Sequence, residues 1–258
     1  MSAGPIEAVL FDYGYTLIYF DEDPHAQLVD AYQAVNRLLS RTLAREVPDA
    51  RTLIERVSKA VDAEIQADYD SGRPEEVEIA TVYDGCLRRL GLELTPVVIQ
   101  EVMEIEQEGW LRSIRLGPNV RPVLDKLKAG GLRLGIVSNA AYRPDLMRRQ
   151  LEHLGLLGYF DAATFSSEVG MRKPHRAIYE DALAKLAVEP QAAIFVGDRL
   201  REDVEGPRRL GMRTVLLREL RRDEATQGSP DFVIDRLTEL IPIVERLQAG
   251  NERPPTYN

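Results

Sequence analysis

The sequence predicts an α/β fold: a doubly wound parallel sheet with an all-helical module inserted after its first strand. Three observations carry that expectation. The short apolar runs Ala8–Phe11, Leu134–Val137 and Ala193–Val196 each stop abruptly at polar residues, as parallel strands buried on both faces do. After Gly117-Pro118 strand-like and helix-like stretches alternate, the pattern of right-handed crossovers between parallel strands. From Glu22 to Arg115 the period is helical and no strand-like run interrupts it.

The elements follow in order. Residues 6–11 read as a buried strand bounded by Pro5 and a turn at Gly14. The helical module shows one apolar stripe through Leu28, Ala31, Val35, Leu38 and Leu39. Others run through Leu53, Val57, Ala60, Val61 and Ile65, and through Val82, Cys86, Leu87 and Leu90. Each is the spacing of a helix with one buried face. Pro48, the turn Ser71-Gly72-Arg73-Pro74 and Gly91 punctuate them, and Met103 and Trp110 near the last helix read as core packing. Beyond it the pattern predicts a helix over 119–129 closed by Gly130-Gly131, a strand over 132–137, and a helix over 143–154. A short strand at 162–166, a helix at 175–187, a strand at 192–197, a helix at 201–210 and a strand at 213–217 come next. A last strand at 231–234 and a helix at 236–248 close the alternation. The organisation is therefore a core of residues 1–20 and 115–250, a helical module of 21–114, and a flexible tail of 251–258 containing two prolines.

Composition narrows the function. The 258 residues include 33 basic and 42 acidic ones, for a net charge of −9, which argues against nucleic-acid or anionic-membrane surfaces as partners. The single cysteine, Cys86, can form neither an internal disulfide nor a cysteine-based zinc site. The three histidines, His25, His153 and His175, show no metal-ligand spacing. There is no basic-then-apolar leader, because Asp12 breaks the first apolar stretch, and no run of about 18 apolar residues. A cytoplasmic enzyme-sized protein is expected, as a monomer or homodimer.

The chemistry lies where strands end. Asp12 follows the first strand, Ser138-Asn139 the second, and Gly197-Asp198 a later one, with Asp203 five residues on. Lys173-Pro174 stands alone in a loop-like stretch. Ligand sites of open α/β sheets sit at such strand ends. Taken singly, Asp198 can cap a helix starting near Leu200, Ser138 can cap the next helix, and Lys173 can be a surface lysine. Asp12 can serve as nucleophile or metal ligand, Ser138 with its neighbouring amides suits a phosphate, and Lys173 can neutralise charge. Together, two carboxylates, a hydroxyl and an ammonium make an anion-and-metal site, and Asp198 paired with Asp12 suits a shared Mg²⁺.

On these residues the chain resembles the haloacid dehalogenase superfamily of hydrolases over nearly its whole length. Asp12 with Thr16-Leu17 is similar to the family's first motif, Ser138 to its second, Lys173 to its third, and Gly197-Asp198 with Asp203 to its fourth. The helical module resembles a cap of the C1 type on a Rossmann-like core. The resemblance implies Asp12 as a nucleophile that forms an aspartyl-phosphate, with Mg²⁺ held by Asp12, the carbonyl of Gly14 and Asp198, supported by Asp203. It implies Ser138, Asn139 and Lys173 as binders of the phosphoryl group, in a phosphatase of a small phosphorylated metabolite. Position 14 is Gly where family phosphatases carry an Asp that protonates the leaving group, so that acid must come from elsewhere or be dispensed with. Tyr13, Tyr15, Tyr19 and His25 are the candidate donors. Tyr15 stands where the family usually has Gly and narrows the mouth of the site, and Arg73 in the cap turn is a candidate substrate contact. Other readings remain open: a silent binding protein of the same fold, a dehalogenase-like carbon–halogen hydrolase, or a phosphonatase needing a cap lysine, for which Lys59 is the one candidate.

Overall fold

A computed structural model describes residues 5–21, 23–223 and 229–250. The predicted tail at 251–258 and the predicted start of the helical module at Glu22 lie outside the described residues. The chain divides into two units: residues 1–19, 116–140 and 151–258 form one, and residues 20–115 with 141–150 form the other.

The first unit is built on a six-stranded Rossmann-like sheet. Its strands are β1 (Ala8–Phe11), β4 (Arg133–Ser138), β5 (Ala162–Phe165), β6 (Ala193–Gly197), β7 (Arg213–Leu217) and β8 (Phe232–Ile234), in the order β5-β4-β1-β6-β7-β8. Every neighbouring pair is parallel. The two missing numbers are β2 (Ile18–Phe20) and β3 (Ile114–Leu116), which form a separate two-stranded sheet. β1 is central, and all four of its side chains are fully buried. Burying one such Leu or Phe is worth about 1.5–3 kcal/mol. The strand order reverses at β1, since the chain builds β4 and β5 on one side and β6, β7 and β8 on the other. That is the switch point at which open α/β sheets leave a crevice. Register fixes its contents: Phe11 lies opposite Ile136 on β4 and Val196 on β6. Asp12, Ser138 and Asp198 therefore leave the sheet at one edge.

The second unit is helical. Its main helices span Val29–Leu43, Lys59–Asp70, Ile79–Arg88 and Pro96–Trp110. The predicted stripes converge, and Leu28, Tyr32, Val35, Leu39, Leu53, Val57, Tyr83, Leu87, Val102 and Met103 form one buried cluster. Gly109 allows the first and last of these helices to approach closely, since a Cβ there would lie 2.8 Å from both Ala31 Cβ and Leu28 Cδ2. Among the described residues no helix is long and apolar enough to cross a membrane.

The structure departs from the sequence reading at four places. β2 and β3 were not predicted, because each is three residues long, too short to show a two-residue period. The single helix expected over 201–210 is a wide π turn, Leu200–Glu205, followed by a short α segment, Gly206–Arg209. Pro207 has no N–H to donate, the Gly206 N–H donates back five residues to the Arg201 carbonyl, and the Tyr179 hydroxyl donates to the Glu202 carbonyl. Another π turn, Ile54–Ser58, interrupts the helical stripe that begins at Leu53. Residues 141–150, read as core, group instead with the helical unit. Within that unit Tyr142 packs on the apolar cluster, and Arg143 Nη1 donates to Gln100 (3.2 Å) and Glu104 (2.9 Å). Elsewhere the boundaries shift by a residue or two, as helix and strand ends commonly do.

Candidate active site

The site lies within the sheet unit. Asp12 follows β1, and its backbone N–H is fixed by the Val196 carbonyl at 2.9 Å. Its Oδ1 accepts from Lys173 Nζ at 2.6 Å, and its Oδ2 accepts from the Thr16 hydroxyl at 3.1 Å. Each carboxylate oxygen thus keeps a lone pair. The same Thr16 hydroxyl lies 3.5 Å from Asp198 Oδ1, a long contact between the two carboxylates. Lys173 Nζ also donates to Asp203 Oδ1 at 2.8 Å and sits 5.6 Å from the centre of the Phe195 ring. The other oxygen of Asp203 accepts from the backbone N–H groups of Asp198 (3.1 Å) and Arg199 (2.9 Å). Asp203 therefore shapes the loop that presents Asp198, and Asp198 is not the helix cap it resembles in sequence. Gly197 is required for this closure: a Cβ there would come within 2.5 Å of the Asp203 carboxylate.

Charge in the site is unbalanced. Asp12, Asp198, Asp203 and Lys173 are all buried, the last at 4% exposure. Burial pushes Asp203 up to about 7, opposed by Lys173 and reinforced by Asp12 and Asp198. Burial, then the charge of Asp12, also raises Asp198 against the pull of Arg221. Burial works against the Lys173 ammonium, but Asp12 and Asp203 more than reverse it and hold its pKa well above the usual lysine range. One carboxylate oxygen each from Asp12, Asp198 and Asp203 lies within 4.8 Å of the others. A compact set of hard oxygen donors with surplus negative charge fits a hard divalent cation such as Mg²⁺.

The remaining predicted residues divide. Ser138 ends β4, 5% exposed, at the edge from which Asp12 emerges. Asn139 holds the Lys173 segment through its side chain. Its Oδ1 accepts from the Lys173 backbone N–H (2.7 Å), and its Nδ2 donates to the Lys173 carbonyl (3.3 Å). It clamps the segment that delivers the ammonium. Gly14 bridges to Ile18, and a Cβ at position 14 would meet nothing within 4 Å. Tyr15 has φ 60°, a left-handed conformation that disfavours side chains, which accords with Gly being usual at this place. Tyr13 is buried, its hydroxyl has no hydrogen-bond partner among the described residues, and burial raises its pKa, so the phenol stays protonated. Tyr19 lies on β2, half-exposed.

Arg73, His25 and Lys59 belong to the helical unit. Arg73 is exposed and pairs with Asp68. His25 pairs with Asp62 at 3.0 Å and meets the Trp110 ring edge-on. Lys59 pairs with Glu55, which raises its pKa. A Schiff-base lysine needs the opposite shift.

Two site residues carry no role in the sequence reading. Thr16 lies inside the first motif but is only recognisable as a ligand of Asp12 once the turn is seen. Arg221 contacts Asp198 Oδ2 through Nε, and its guanidinium lies 4.4 Å from the Tyr15 ring centre. The available signal was topological: β7 runs parallel to β6, so its C-terminal extension arrives at the same edge.

A family model described as haloacid dehalogenase-like hydrolase matches residues 21–217. That span includes Ser138, Lys173, Asp198 and Asp203 and begins beyond Asp12. A protein of Methanopyrus kandleri named glyceraldehyde 3-phosphate phosphatase is 30% identical over 94% of this chain and 98% of its own length. A phosphoserine phosphatase of Thermus thermophilus is 34% identical over 50% of this chain and 51% of its own. Among solved structures, a phosphatase from Thermococcus onnurineus superposes with TM-score 0.63 at 27% identity, covering 93% of this chain and 98% of its own. A 2-haloacid dehalogenase from Pseudomonas syringae reaches TM-score 0.66 at 24% identity, over 93% and 99% of the two chains. The latter is a likeness of fold alone.

Proposed function

We propose that this chain, which belongs to the haloacid dehalogenase-like hydrolase family, is a Mg²⁺-dependent phosphatase that dephosphorylates a small metabolite through an aspartyl-phosphate on Asp12. The observation that carries this reading is the convergence of Asp12, Asp198 and Asp203 around the Lys173 ammonium. Relatives named as glyceraldehyde 3-phosphate phosphatases make three-carbon phosphates the first substrates to test.

Asp12 is oriented by Lys173 and Thr16 so that one carboxylate oxygen can approach phosphorus. That oxygen forms the new bond to phosphorus as the bond to the leaving oxygen breaks, and the electron pair departs on the alkoxide, which takes a proton from solvent to become the alcohol. Water then attacks the same phosphorus and releases Asp12 as carboxylate. Lys173 stays charged throughout and neutralises the phosphoryl oxygens, while Ser138 stands at the adjoining strand end to donate to them. Such transfers depend mainly on positioning and charge neutralisation. Asp12, Asp198 and the Gly14 carbonyl would hold the cation and Asp203 would support it. When bound, it supplies charge neutralisation for the transferring group.

Asp198 with Asp203 favours this reading over metal-free dehalogenation, and the exposed, paired Lys59 disfavours a phosphonatase. The test is phosphate release from a panel of phosphorylated metabolites with Mg²⁺ and with EDTA. Metal-dependent release from at least one member is expected. No release from any, or a rate that EDTA leaves untouched, overturns the proposal.

A further inference from the structure

The Arg221 guanidinium pairs with Asp198, a buried carboxylate of the acidic cluster. The segment that carries it is tied down on both sides. Glu219 Oε2 accepts from the Leu237 backbone N–H at 2.8 Å, and Asp223 Oδ2 accepts from that of Leu200 at 2.7 Å. Between these anchors the Arg221 side chain, 30% exposed, lies over the Tyr15 ring and reaches Asp198, whose side chain is 1% exposed. A guanidinium stacked on an aromatic face is held in place while its remaining N–H groups stay available.

Charge decides what this contact means. Three carboxylates face one ammonium in the site, and Arg221 supplies a second positive charge. If a divalent cation joins Lys173 among the three carboxylates, they are balanced without any arginine. The guanidinium is then surplus, still seated on Tyr15 and next to Asp198, one of whose carboxylate oxygens lies within 4.8 Å of one from Asp12, the proposed point of attachment of the phosphoryl group. A single side chain can serve both states.

We propose that Arg221 is an exchangeable ion-pair partner: it pairs with Asp198 in the metal-free protein and passes to the anionic substrate once the divalent cation takes Asp198. Binding is thereby ordered, cation before anion. The inference rests on the metal reading of Asp12 and Asp198 given above.

Titration calorimetry of the full chain tests it without an activity readout, using Mg²⁺ alone and then inorganic phosphate added to the Mg²⁺-saturated protein. Arg221→Gln removes the competitor, so Mg²⁺ should bind about fivefold tighter. The same variant should bind phosphate about tenfold more weakly, having lost a charged donor. Tyr15→Leu keeps the charge and removes its platform, so phosphate binding should weaken by a smaller factor. If the wild type binds Mg²⁺ and Arg221→Gln binds it equally or more weakly, the exchange is overturned while the metal reading stands. Phosphate affinity unchanged in both variants overturns the transfer to substrate. No Mg²⁺ binding by any of the proteins overturns the metal reading and the exchange with it.

Discussion

Asp12 has one hydrogen bond on each oxygen, from Lys173 and from Thr16, so a carboxamide in its place would keep much of the packing and lose the nucleophile. Asp12→Asn should abolish turnover and the trapping of a beryllofluoride adduct, with the fold retained. Turnover at the wild-type rate in that variant would end the aspartyl-phosphate mechanism. Gly14 makes a second prediction at this scale. With no carboxylic acid there, the rate should depend steeply on the leaving group, aryl and acyl phosphates outrunning alkyl ones. The open space around a Cβ at position 14 means that Gly14→Asp is sterically admissible. It should accelerate alkyl phosphates up to about 10²-fold and change aryl phosphates little. A flat leaving-group series in the wild type would show that another residue supplies the proton. Asp12, Lys173, Asp198 and Asp203 were legible in the sequence because each follows a strand or fits a motif spacing. Arg221 was not, since one arginine in a loop with several others carries no local pattern.

Between elements, the Asn139 clamp joins the end of β4 to the segment of Lys173. Its amide makes both hydrogen bonds to main-chain atoms, so Asn139→Ala removes two partners and should cost about 1–3 kcal/mol. It should also lower kcat by roughly tenfold or more, because the ammonium loses its fixed origin. A rate unchanged in a destabilised variant would make the clamp purely structural. In the helical unit, the fully buried Glu106 accepts from Ser58 at 2.5 Å, Tyr83 at 2.7 Å, Trp110 at 3.3 Å, and Tyr32. Burial nevertheless raises its pKa, against the donors that favour the anion. A carboxyl raised in the fold stabilises fully below the unfolded value of about 4.3, and that contribution is lost as pH rises through the folded value. Glu106→Gln, permanently neutral, should therefore gain stability relative to the wild type as pH increases. Urea titrations of both proteins at several pH values would check this, and a pH-independent difference would contradict it. In the sequence Glu106 is one of four glutamates on the helix Pro96–Trp110, and nothing singles it out, because Ser58, Tyr32 and Tyr83 reach it from other elements.

At the scale of the molecule, the division into a sheet unit and a helical unit gives the metal a local signature. A ligand that binds only the folded site at about 100 times its Kd adds about 2.7 kcal/mol. At about 2–4 °C per kcal/mol for a unit of this size, Mg²⁺ should raise the melting of the sheet unit by roughly 5–10 °C. Resolved calorimetric transitions should show the helical unit unmoved, and EDTA should erase the difference. An equal shift of both transitions would mean that the two unfold as one. The alternation of strands and helices, and the long helical insert, were readable because each spans many residues with one period. The short β2 and β3 and the broken helix after β6 were not, since three residues or a π turn leave no periodic trace. The central position of β1 carries a cost in time. It is made well before either neighbour, since Ala8 pairs with Arg133 and Ala193. At about 5–20 residues per second, roughly 6–25 s of synthesis separate this strand from its nearer partner. For that interval a nascent chain holds the strand Ala-Val-Leu-Phe with no sheet to enter, while the four main helices of the insert are already made. Ribosome-bound chains stalled between the insert and β4 should therefore recruit holding chaperones through that strand.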